Sequence, residues 1–104
     1  MPPLLPFIKS IQGWDADLYR ITAELQQTAM QPGALDSRTK MLISLACDAA
    51  LGSRHGVASV AAALRQMGVS DGEIAEALRL AYFCAGNSVL SACGAAFEKH
   101  EVGG

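Results

Sequence analysis

Apolar residues recur along this chain at helical spacing. In the N-terminal stretch they fall at Phe7, Ile11, Trp14, Leu18, Ile21 and Leu25. Their alternating steps of four and three lay one stripe along a helix. Gly13 weakens the pattern and Asp15 can cap a fresh start. The spacing therefore predicts one or two helices between about Pro6 and Met30, ended by Gln31-Pro32-Gly33. The stripe is too short for a coiled coil. A further helix is expected to start at Asp36 or Ser37 and to run to Leu51. It is apolar almost all round, which predicts a place at the centre of the fold. Gly52 breaks it. The next helix spans about Ser53 to Met67, with Val57, Val60, Ala61 and Leu64 on one face and Gly68 as its C-terminal cap.

Ser70-Asp71-Gly72-Glu73 reads as a capping box, Ser70 bonding forward and Glu73 reaching back. It opens a helix to about Ala85 with Ile74, Leu78, Ala81 and Tyr82 inward. Gly86-Asn87-Ser88 is expected to interrupt that helix, and a last one spans about Val89 to His100 with Leu90, Cys93 and Phe97. Val102-Gly103-Gly104 should fray. With no strand pattern, internal repeat or low-complexity segment, the fold class is all-α, about five or six helices joined by short loops.

Composition narrows the function classes. The 104 residues suit one domain, and 51% hydrophobic against 17% charged residues excludes disorder. A net charge of −2 without a basic run argues for no nucleic acid partner and no anionic lipid. The longest apolar run, around Met41 to Leu51, is interrupted by Ser44 and Asp48 and falls far short of the roughly 18 residues of a membrane span. The opening MPPLLPFIKS has no basic segment before its apolar stretch, unlike a secretory signal. Three widely spaced cysteines, Cys47, Cys84 and Cys93, argue against a disulfide scaffold and for a reducing compartment, the cytoplasm. The apolar content exceeds what so small a core can hold, which predicts a homo-oligomer.

Five stretches then carry a family resemblance: LDSRTKMLISLA (35–46), AALG (49–52), AAAL (61–64), GVSDGEIAEAL (68–78) and AG (85–86). Together they resemble the carboxymuconolactone decarboxylase and alkylhydroperoxidase D (AhpD) superfamily. The family pattern is a threonine followed by arginine or lysine at a helix start, a buried helix, and a glycine before the motif helix. A G-x-[ST]-x-x-E-I-x-E turn and helix follow, the most specific part, and then a glycine late in the next helix. The resemblance implies an AhpD-like helical bundle assembling as a trimer or hexamer. It divides the chain into an N-terminal helical segment, 1–34, and a family-like core, 35–104. The N-terminal segment either covers the core of its own subunit or packs on a neighbour, with Trp14 as anchor in the second case.

The family's chemistry does not carry over with it. The peroxidase branch has Cys-x-x-Cys-x-x-x-His just after the glycine that closes the buried helix, and those positions here are Ser53, Gly56 and Val60. Its glutamate twelve residues before the first cysteine is Met41 here, and the decarboxylase branch's histidine again falls on Val60. A dithiol relay needs one thiolate to attack the peroxide and a second to resolve the sulfenic acid. The resemblance thus implies a divergent member. Either it is a thiol-dependent peroxidase-like or small-molecule enzyme with a rewritten site, or it is a non-catalytic oligomeric binding or scaffolding protein.

Three side chains remain as catalytic candidates, around a pocket at Ser53, Gly56 and Val60. Asp48 is the one charge between Met41 and Ser53, and a carboxylate buried in so apolar a helix suits acid or base work. The bland alternative is an Asp on the helix rim. Cys84, two residues before Gly86, is the best thiol candidate, against the commoner role of a buried structural cysteine. His55 is a base candidate if its ring turns into the pocket, and otherwise an exposed residue behind a Ser53 N-cap. Cys47 is expected in the core and His100 in solvent. Neither histidine has a second ligand at helical spacing and there is no Cys-x-x-Cys, so no metal and no cofactor is implied. A small-molecule ligand fits the enzyme reading.

Overall fold

The computed structural model describes residues 6–99. It holds five α-helices and no strand among them: α1 (Pro6–Ile11), α2 (Ala16–Met30), α3 (Ser37–Ala50), α4 (Arg54–Gln66) and α5 (Asp71–Cys93). A 3₁₀ turn, Gly94–Phe97, follows α5. The chain divides into two compact units, Met1–Met41 and Leu42–Gly104, so that α3 begins in the first and ends in the second. The all-α class read from the spacing is the one observed. His100 and the last four residues lie outside the described residues.

In the first unit, Gly13 and Asp15 separate α1 from α2 as their chemistry requires. Asp15 is extended (φ −154°, ψ 91°), and its carboxylate accepts from the Leu18 backbone N–H. That satisfies one of the donors a helix start leaves unpaired. At the other end of α2, the Lys40 ammonium donates to the carbonyls of Ala29 (2.9 Å) and Gln31 (2.6 Å). Those are carbonyls without helical partners, and a cation there also opposes the negative end of the helix dipole. The lysine of the Thr39-Lys40 pair therefore does structural work. Asp36 caps α3, accepting from the Thr39 N–H at 2.8 Å. This bond, chiefly, holds its carboxyl below the ordinary carboxylate value. Ile8 and Met41 are the unit's buried apolar side chains. The stripe Phe7, Trp14, Leu18, Ile21 and Leu25 is exposed.

Both interhelical joints of the second unit follow one plan. After α3, the Gly52 N–H reaches the Ala49 carbonyl and the Ser53 N–H reaches the Asp48 carbonyl at 2.8 Å. After α4, Gly68 bonds to Arg65 and Val69 to Leu64. These paired reverse bonds are the Schellman motif, which needs a left-handed residue at its turn. Gly52 (φ 76°) and Gly68 (φ 84°) supply it. Each turn runs at once into a serine N-cap, Ser53 for α4 and Ser70 for α5. Ser70 and Glu73 form both halves of the capping box. Arg65 adds an ion pair to Asp71 across the second joint, 2.9 Å.

The buried apolar side chains of this unit are Leu45 on α3, Val60, Ala61 and Leu64 on α4, Val69 in the turn, and Ile74 and Ala81 on α5. Val69 and Leu64 are the residues a Schellman turn brings into apolar contact.

Three expectations are corrected. First, Gly86-Asn87-Ser88 does not interrupt α5, which runs unbroken for 23 residues. Gly86 has no positive φ. These three residues weaken a helix by about 1 kcal/mol or less each, and none of them forbids it as proline would. Second, Tyr82 is 82% exposed and not inward, and Leu90 and Phe97 are exposed as well. Third, α3 is not enclosed on all sides. Met41 and Leu45 are buried, whereas Ile43, Cys47 and Leu51 face solvent. Cys47 is thus not a core residue.

The unbroken α5 also changes the membrane argument. Residues 80–97 contain no charged side chain, a longer run than Met41–Leu51. Asp71–Phe97, with a mean hydropathy of 1.3 in its most apolar window, is long and apolar enough to cross a membrane by length and composition.

Candidate functional site

The family motif positions fall at the joint between α3 and α4, inside the second unit. The Schellman turn at Gly52 returns the chain so that Ser53 starts α4 beside the last turn of α3. The Ser53 hydroxyl accepts from the Gly56 backbone N–H at 3.3 Å. Asp48, half-buried on α3, turns its carboxylate toward the same place.

Gly56 is where the two side chains converge. A β-carbon built there would lie 2.6 Å from Asp48 Cγ and 2.8 Å from Ser53 Oγ, and would meet Asp48 Oδ2 as well. Such contacts are far inside van der Waals separation, so a larger residue here has to push the Asp48 and Ser53 side-chain tips aside. Asp48, Ser53 and Gly56 thus form one cluster. The carboxylate sits over the first turn of α4, where a negative charge is favoured by the helix dipole.

The remaining positions are distributed differently. Val60 is buried and packed in the core face of α4. Met41 is buried on α3. His55 is exposed on the first turn of α4. Cys84 is exposed on α5, and so are Cys47 and Cys93; all three are free thiols. Cys84 and Cys93 stand nine residues apart on one continuous helix, about 13 Å along its axis and on opposite faces. A disulfide within one chain cannot span that. Among the described residues, no three His, Cys, Asp or Glu side chains come together as metal ligands.

Beside the joint lies an open groove of about 280 Å³, lined by Ala49, Gly52, Ser53, Arg54, Val57 and Ala58. Its walls are mostly apolar. The expected pocket at Ser53, Gly56 and Val60 coincides with this groove only at Ser53. Gly56 and Val60 lie on the buried face of α4. Helical periodicity could have separated the two faces: Arg54, Val57 and Ala58 share one side, and Gly56 and Val60 another. Sequence reasoning missed the crowding at Gly56, whose signal was faint. Asp48 is the residue whose carbonyl closes the turn at Gly52, and that turn brings α4 back alongside it.

These helices and this joint belong to a recognised class. The family model described as the carboxymuconolactone decarboxylase family matches residues 16–98, and the chain belongs to that family. The match takes in α2 and is wider than the stretch from Leu35 to Ala92 that carries the sequence resemblance. No curated protein and no solved structure matches the chain.

Proposed function

We propose that this protein is a non-redox member of the carboxymuconolactone decarboxylase family, a self-associating binding protein in which the family's catalytic joint has become a structural one. The observation that carries this reading is the crowding at Gly56. The resemblance assigns a cysteine side chain to that position, and here Asp48 and Ser53 occupy its space. No exchange of thiols can run through Ser53 and Gly56. The groove beside Arg54 offers a small ligand an apolar wall and one cation, which suits binding. The exposed apolar side chains on α2, α3 and α5 support self-association.

The exposed thiol of Cys84 favours a second reading. A Cys84 thiolate would attack the peroxide O–O bond, releasing an alcohol and leaving a sulfenic acid. An external thiol would then have to reduce that acid, because Cys93 faces the other way. Consumption of an alkyl hydroperoxide in the presence of dithiothreitol decides between the two readings. The expected result is a rate equal to dithiothreitol alone, unchanged by Cys84→Ser. A catalysed rate that Cys84→Ser abolishes overturns the non-redox reading.

A further inference from the structure

The groove beside the α3–α4 joint lies on a different side of α4 from Gly56 and Val60, the positions of the family's motif. Its lining has a chemistry of its own. Ala49 of α3, Gly52 of the turn, and Val57 and Ala58 of α4 supply a mostly apolar wall. Arg54 is the one charged residue in that lining. It is exposed and makes no ion pair among the described residues. From this lining, we infer that the groove binds a small monocarboxylate with an apolar body. The carboxylate pairs with the Arg54 guanidinium, and the body lies on Ala49, Val57 and Ala58.

Charge sets the head of the ligand. No Asp or Glu lines the groove, and the Asp48 carboxylate is turned to Gly56. A guanidinium meets a carboxylate with two parallel N–H···O bonds, a match that a point charge does not give. A second carboxylate on the same ligand finds no second cation in the lining. The wall sets the rest of the ligand. Hydrocarbon gains by leaving water against Ala49, Val57 and Ala58, whereas a body rich in hydroxyls loses water there without gaining partners. Size narrows it further. The 280 Å³ of the groove equals about nine water volumes, which suits a body of roughly six to eight carbons. The groove is open because Ala49, Gly52 and Ala58 are small, and a leucine at position 58 would fill part of it.

The inference rests on the binding role proposed above and names the class of ligand. The test titrates the full chain with sodium hexanoate at constant ionic strength and follows the backbone amides by NMR. The amides of Ala49, Gly52, Val57 and Ala58 should shift and saturate. Arg54→Gln should weaken binding by about tenfold, the loss of one charge-assisted pair. Ala58→Leu should abolish the shifts, with circular dichroism showing that the variant is helical. Arg79→Gln, an exposed cation on α5, should leave the titration unchanged. Hexanol binding as tightly as hexanoate overturns the carboxylate. Inorganic phosphate shifting the same amides as strongly overturns the monocarboxylate in favour of anions at large. Shifts spread along the apolar face of α5 and indifferent to Ala58→Leu overturn the groove as the site. The absence of any saturable shift up to about 10 mM, ten times above a weak millimolar site, overturns the inference and leaves the non-redox reading to the hydroperoxide assay. A peroxide rate that depends on Cys84, with hexanoate still bound in the groove, overturns that reading alone.

Discussion

The Asp48 carboxylate lies against the α-carbon of Gly56, in the space that any side chain at position 56 would need. The contact ties the last turn of α3 to the first turn of α4.

Gly56→Ala should lower stability by about 1 kcal/mol. Both obstacles are side-chain tips, so the chain yields by swinging Asp48 and Ser53 aside rather than by moving backbone. Ser53 then loses its capping bond, which outweighs alanine's better helix propensity in a first turn. In an Asp48→Ala, Ser53→Gly background the same change should be neutral or stabilising. Urea unfolding of the four combinations measures the coupling, expected at about 0.5 kcal/mol or more. Additive effects would mean that Asp48 and Ser53 do not constrain Gly56.

Lys40→Met should destabilise the first unit by about 1 kcal/mol, because the carbonyls of Ala29 and Gln31 lose their donor. Methionine keeps the apolar stem and removes only the charge and the hydrogen bonds. Amide exchange should quicken in the last turn of α2 before it changes in α5.

Gly68→Ala should cost about 1–2 kcal/mol, since φ 84° is strained for any residue with a β-carbon. Gly86→Ala should do the reverse. Gly86 is helical, and a β-carbon there meets nothing within 4 Å. Alanine should then raise stability by up to about 1 kcal/mol. Opposite signs in thermal unfolding would separate the glycine that ends a helix from the one that α5 passes through.

Asp36 makes part of the stability acid-sensitive. Its carboxyl is held below its ordinary value in the folded chain, mainly by the Thr39 N–H. The folded state therefore binds this proton less readily than the unfolded state. The contribution is fully present above the ordinary carboxylate value and is lost as pH falls through the lower, folded value. Asp36→Asn keeps an acceptor for the Thr39 N–H, so its stability should change less with pH across that window than the parent's. Parallel pH slopes for the two proteins would remove Asp36 from the account.

Much of the architecture was legible because local chemistry governs it. Asp15, Asp36, Ser53 and Ser70 announce helix starts, and Gly52 and Gly68 announce helix ends, since caps and left-handed turns depend only on a few neighbouring residues. The reverse failure came at Gly86-Asn87-Ser88. Weak helix formers read as a break, but a break requires an alternative with its own hydrogen bonds. None is provided, so the helix continues. Tyr82 was misplaced for a related reason. A stripe of apolar residues shows that a helix has a face to cover, but not whether the chain itself covers it.

The sequence by itself determined the helical class, the two serine-capped joints and the absence of the family's cysteines and histidine, because each is written in a short, contiguous pattern. Only the tertiary structure decided what replaced that chemistry. Asp48 and Gly56 are eight residues apart on two helices, and they meet because the Gly52 turn folds one helix back along the other. Likewise, Phe83, Leu90 and Phe97 look the same as core residues in a linear reading. Whether such a face stays open depends on which other helices reach it, and that is a property of the packed chain alone.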